Sequence, residues 1–266
     1  MALWDSITFG QFIPGDSVIH RLDPRTKLLM VLGCVVLATI TLNLLTYVIL
    51  ISFLIFIFIL SALPYLLLFK NLKSFFWLFL IIFFFQILFT PDTTKAIIHF
   101  GFINITQIGI HNGILYTLRL CVFIFGAVVL SLTTSPMDLT DGIFKFLSPL
   151  KKLKFPVQEL SLITMISLRF VPLLLEEASN LRKAQLSRGA SFEGGIIQRT
   201  KKTIPLLIPL FISSFRKADD LALALDARGF RSKEERTSYQ KLEFKINDYV
   251  FLGLLIFIIF ICLWII

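Results

Sequence analysis

Residues 47–69 read YVILISFLIFIFILSALPYLLLF, 23 consecutive positions without a charge. A membrane-crossing helix needs roughly 20 mostly apolar residues, so this stretch predicts a span, with Pro64 near its end. Four more runs share the character. Residues 28–45 come first. Residues 75–89 are short and very aromatic, and do not read as a straight span. Residues 114–132 carry Arg119, and 249–266 follow much later. The whole chain agrees: 56% of its 266 residues are hydrophobic, 29 are Phe, and the mean hydropathy is +0.85. That composition excludes a soluble globular domain and predicts an all-α polytopic membrane protein, a bundle of membrane helices.

Charge placement predicts the orientation. Arg21, Arg25 and Lys27 precede the first run, and Lys70 and Lys73 follow the second, whereas 91–112 holds only Lys95. By the positive-inside rule the N-terminus is expected in the cytoplasm and 91–112 outside. The start of the chain lacks the basic, apolar and small-residue succession of a signal peptide, so insertion by its own spans is expected. Residues 135–246 hold 19 of the 26 Lys and Arg and 12 of the 17 Asp and Glu, which is +7 of the net +9. This segment is expected to be cytoplasmic or interfacial. The chain thus divides into an N-terminal membrane region (1–134, about four spans), a cytoplasmic or interfacial region of long helices (135–246) and a last span (247–266).

A segment as long as 135–246 is expected to have structure of its own. Residues 161–175 are mostly apolar and 176–188 polar, with Ala178, Leu181 and Arg188 at helical spacing. The pattern recurs: 203–215 is apolar, interrupted by Pro205 and Pro209, and 216–228 is amphipathic. Each helix starts apolar and ends polar. Both close on an Arg-Gly step, Ser187-Arg188-Gly189 and Ala227-Arg228-Gly229, and an offset of 40 residues superposes them. A cation in a last helical turn complements the macrodipole by about 0.3–1 kcal/mol, and Gly just beyond is a left-handed cap. Either site alone is accounted for by capping. Two copies in matched context, in the most basic part of a membrane protein, point to docking, for which the guanidinium offers a planar five-donor fork.

Other features exclude other functions. Cys34, Cys121 and Cys262 lie in apolar runs with no metal or disulfide spacing, and His20, His99 and His111 are scattered. There is no phosphate-binding Gly-x-x-x-x-Gly-Lys-Ser/Thr loop, so ATP hydrolysis by that route is excluded. No set of intramembrane carboxylates suits an ion-coupled carrier. The basic charge fits the positive-inside rule and an anionic inner leaflet better than nucleic acid. Arg119 is expected to snorkel, and Arg169 to pair with Glu176, Glu177, Asp219 or Asp220.

The ordered motifs resemble a family. Gly15-Asp16-Ser17-Val18-Ile19-His20-Arg21-Leu22-Asp23-Pro24-Arg25-Thr26-Lys27 is similar to the opening signature of the transmembrane (T) component of energy-coupling factor transporters, a branch of the ATP-binding-cassette importers. Thr133-Thr134-Ser135-Pro136 resembles the family's step out of the fourth span, and Ile166 to Pro172 followed by Glu176 the start of its first coupling helix. The Arg-Gly steps resemble its paired Ala-Arg-Gly motifs, with Ser187 in place of the first Ala. The resemblance covers nearly the whole chain. It implies a scaffold that joins two ABC ATPase subunits, identical or different, to a membrane-embedded substrate-binding (S) component, one or several interchangeable ones, for vitamin uptake across a bacterial cell membrane. It implies that Ser187, Arg188, Gly189, Ala227, Arg228 and Gly229 dock the ATPases. Arg169, Pro172, Pro205, Pro209, Asp23, Pro24 and Arg25 would serve structure or coupling. The chain itself would be no enzyme and bind no cofactor, ATP and Mg belonging to the partners. A cobalt- or nickel-type T component and a conventional ABC permease are the alternatives.

Overall fold

The structure, a computed structural model, describes residues 12–90, 98–100, 103–190, 195–230 and 244–265. It is all-α apart from one short antiparallel hairpin, β1 (Ile98–Phe100) with β2 (Ile103–Ile105). By length and composition α5 (Gln107–Thr133), α7 (Val157–Ser187) and α9 (Ile246–Ile265) can cross a membrane, and α3 (Tyr65–Ser74) with α4 (Phe76–Phe89) forms a pair bent by 47° that makes a fourth. Two further helices, α1 (Pro24–Ile40) and α2 (Leu44–Leu60), have 17 residues each, the short end of the spanning range. The chain forms two compact units: one lies within Gly10–Phe146 and Leu242–Ile266, the other within Leu147–Lys241.

The first unit is a bundle around α5, which packs against α1, α2, α3 and α4, while α9 packs on α1 and α2. Glycines set the close approaches. A Cβ on Gly109 or Gly113 would lie 3.2 Å from the Ile87 carbonyl or 3.3 Å from that of Phe83, so this Gly-x-x-x-Gly stripe lets α4 lie on the α5 backbone. The core is aliphatic and aromatic, with Tyr47, Leu50, Leu54, Leu115 and Val122 fully buried.

The run 47–69 is not one helix. α2 ends at Leu60, Ala62 turns left-handed (φ 52°), and Pro64 starts α3. Proline disfavours helical geometry at the residue before it, and the Ser61 hydroxyl donates to the Phe58 carbonyl at 2.6 Å, closing α2. The aromatic run 75–89 is the second arm of the bent pair, as its brevity suggested. Arg119, expected to snorkel, reaches the end of α1. Its Nε donates to the Tyr47 hydroxyl (3.2 Å), its Nη2 to the Thr39 carbonyl (3.3 Å), and its guanidinium stacks over Tyr116. It satisfies the end of α1, where carbonyls lack helical partners.

The N-terminal signature is a buried fastening. Asp23 caps α1, its Oδ1 accepting the Arg25 N–H at 2.9 Å with Pro24 in the first turn. Its own N–H donates to Asp248 Oδ1 (2.9 Å), whose Oδ2 accepts from the Lys245 N–H (2.8 Å), so one fully buried carboxylate ties the starts of α1 and α9. Lys27 Nζ donates to the Thr133 carbonyl at 2.8 Å, capping α5. Arg25 lies over the Phe244 ring. Gly142 of α6 (Pro136–Phe146) leaves room for Pro24, whose Cβ a side chain there would meet at 3.2 Å. His20 bridges Ser17 Oγ and the Ile13 carbonyl. Burial, then the charge of Lys27, lower its pKa.

In the second unit, α7 and α8 (Ile196–Ala227) are 31 and 32 residues long and pack on each other. Pro205 and Pro209 do not break α8, and Pro172 lies within α7. Pro205 and Pro209 are one turn apart on the same face, so the lost N–H donors fall together. The helix runs on through both to Ala227.

Candidate docking interface

The two Arg-Gly steps adopt the same local structure. In α7, the Gly189 N–H donates to the Leu186 carbonyl (3.0 Å) and the Ala190 N–H to that of Gln185 (3.0 Å). In α8, the Gly229 N–H donates to Asp226 (2.9 Å) and the Phe230 N–H to Leu225 (3.0 Å). These paired bonds are the Schellman motif. Gly189 and Gly229 have φ of +86° and +70°, and an added Cβ would meet nothing within 4 Å. Glycine is needed here for its backbone freedom, not for space. Arg188 and Arg228 are the cap residues, with φ, ψ of −86°, 9° and −87°, 6°, and both are exposed. Ser187 and Ala227 are the last residues of their helices, and the Ser187 hydroxyl turns back to the Lys183 carbonyl at 3.1 Å.

The helices also meet at equivalent positions. Glu177 of α7 and Lys217 of α8 form an ion pair, and they are 40 residues apart, the same offset that relates the two Arg-Gly steps. Residues of matching rank therefore touch where the two helices pack on each other. From that contact each arginine lies eleven residues onward, about 16 Å of helix at 1.5 Å per residue. The two guanidinium groups are therefore carried on equal arms. Each can offer a fork of donors to carboxylates or carbonyls on a partner.

The remaining site expectations distribute differently. Arg169 is exposed and forms no ion pair among the described residues. Lys217 takes Glu177, one of the four acids expected for Arg169. Pro172, Pro205 and Pro209 lie in the helix bodies, away from the capped ends. Asp23, Pro24 and Arg25 belong to the fastening of the other unit. Sequence reasoning missed Asp248, whose partner lies 225 residues away. It also missed the Glu177–Lys217 pair, since the 40-residue offset relates the two residues in rank and says nothing of contact. Along α8 a further surface emerges: Ile204, Leu207, Ile208, Phe211, Ile212 and Phe215 are all exposed. Their spacing forms one continuous apolar helical stripe.

Comparison with known proteins follows the same lines. Residues 15–239 match the family described as cobalt transport protein, CbiQ. The chain is 42% identical over 247 residues to the energy-coupling factor transporter transmembrane protein EcfT of Bacillus subtilis, covering 92% of this chain and 93% of that protein. It is 44% identical over 258 residues to the EcfT of Acidaminococcus fermentans, covering 97% and 95%. With a family match over most of its length and relatives this similar end to end, the chain belongs to the CbiQ/EcfT family of energy-coupling factor transporter transmembrane components.

Proposed function

We propose that this chain is the energy-coupling scaffold of an ABC-type importer, joining two cytoplasmic ATPase subunits to a membrane-embedded S component that brings in a vitamin. The observation that carries the reading is the pair of superposable Schellman-capped arginines on equal arms about the Glu177–Lys217 contact. Two related ATPases present two related grooves, and a helix pair with two like-capped arginine ends suits them. A helix is stiff along its axis, so ATP-driven movement at the arginines is carried along α7 and α8 to their apolar halves. The exposed stripe from Ile204 to Phe215 suits lipid or the apolar surface of an S component. ATP and Mg bind the partner subunits, and this chain holds neither. The N-terminus and both arginine ends face the cytoplasm, in keeping with the basic balance of 135–246.

The test is copurification from mild detergent. Arg188→Glu with Arg228→Glu is expected to abolish recovery of the ATPases while the chain still inserts. Each single change weakens it, since truncating a charged contact of this kind costs about 2–5 kcal/mol. Full uptake and an intact complex in the double variant would overturn the proposal. A second reading, a cobalt- or nickel-type component, has the description of the matched family in its favour. Uptake of labelled cobalt or nickel, instead of a vitamin, by cells expressing the complex would select it.

A further inference from the structure

The two arms match in backbone and differ in charge. Beyond the crossing, residues 178–188 of α7 carry Arg182, Lys183 and Arg188 and no acid, a formal +3. Residues 218–228 of α8 carry Asp219, Asp220 and Asp226 against Arg228, a formal −2. At the 40-residue offset Ser179 faces Asp219 in rank, Asn180 Asp220, Lys183 Leu223, and Leu186 Asp226. Lys183 and all three aspartates are exposed. The residues that follow do not erase the difference: 191–194 add −1 and 231–243 add +1, leaving +2 and −1. The caps differ too, with Ala190 after one glycine and Phe230 after the other.

Identical geometry with opposite field is the arrangement for telling two similar partners apart. Complementary rim charges steer encounter and penalise the wrong partner, whereas the shared arginine supplies the common anchor. We propose that the α7 end selects an ATPase groove with an acidic rim and the α8 end one with a basic rim. Two unlike ATPases would then be told apart by their rim charge. Lys183, Asp219, Asp220 and Asp226 are the specificity-determining residues. This inference rests on the docking reading above, and its failure is separable from that reading's.

The experiment uses the full-length chain in nanodiscs and the two ATPase subunits of the same transporter, purified separately and labelled with different dyes. Arg188→Glu is expected to lose one ATPase and Arg228→Glu the other. Asp219→Asn, Asp220→Asn and Asp226→Asn together are expected to weaken only the ATPase lost in Arg228→Glu, by about fivefold or more, with a reduced salt dependence. Lys183→Leu is expected to weaken only the other. Binding of either ATPase at either end within about twofold, or an equal effect of the aspartate variant on both, overturns the sorting while leaving docking intact. Retention of both ATPases by the Arg188→Glu, Arg228→Glu double variant overturns both readings. Because every substituted side chain but the arginines' backbone caps is free of the helix core, elution as an unaltered monodisperse species identifies variants that remain folded.

Discussion

Gly189 and Gly229 do one job each, and a single methyl tests it. Both sit at positive φ in open space. Gly189→Ala or Gly229→Ala therefore costs the left-handed backbone penalty of about 1–2 kcal/mol without a clash. The expected outcome is an unwound last turn, a misdirected arginine and weaker ATPase recovery at unchanged helix content, read by pull-down beside circular dichroism. His20 offers a second test. Its pKa is lowered, chiefly by burial and next by Lys27, so the folded state binds a proton less readily than the unfolded chain. Its contribution to stability is present above the usual imidazole range and is lost as pH falls through it. Protection factors for amide exchange of residues 13–22 are expected to fall on mild acidification in the wild type and not in His20→Gln. The Arg-Gly helix ends were legible beforehand as caps, because they depend only on neighbours within a turn, whereas Asp23-Pro24 was legible only as part of a family signature.

At the scale of elements, the fastenings join residues far apart in the chain. Asp248→Ala would leave the buried Asp23 N–H and the part-buried Lys245 N–H without their acceptor, costing about 1–3 kcal/mol. Asp248→Asn, which keeps one acceptor oxygen, is expected to fall between. Thermal unfolding in detergent orders the three. The Glu177–Lys217 pair is only partly buried, with side chains 24% and 30% exposed, so its worth is about 0.5–1 kcal/mol after screening. Glu177→Lys and Lys217→Glu are each expected to loosen the α7–α8 crossing and lower coupled uptake. The double reversal is expected to restore both, as a double-mutant cycle would register. None of this was legible as a pattern. Prolines make the point: Pro64 stands at the start of a helix and Pro205 inside one, though the local rule is the same for both. Ahead of Pro64 the preceding helix has already closed at Leu60 and Ala62 turns left-handed, whereas Pro205 and Pro209 lie one turn apart in a helix that continues to Ala227.

For the whole molecule, the distribution of Lys and Arg sets the expected topology. A membrane-impermeant maleimide checks it in a variant lacking Cys34, Cys121 and Cys262. A cysteine at position 92 is expected to react in intact cells and one at position 16 only after permeabilisation. The reverse pattern would place both arginine ends on the wrong side for cytoplasmic ATPases.

Taken by itself, the sequence determined that this is an all-α membrane protein, where its apolar runs lie, and that two Arg-Gly steps recur in matched context. These follow from composition and from periodicities a few residues long, which are local physics. Only the tertiary structure decided that Arg119 closes α1, that Asp248 and Lys27 bind three helix ends into one fastening, and that α7 and α8 cross at matching residues. Those depend on which unsatisfied carbonyls and N–H groups meet in space. Sequence spacing carries no information about a contact between residues 23 and 248.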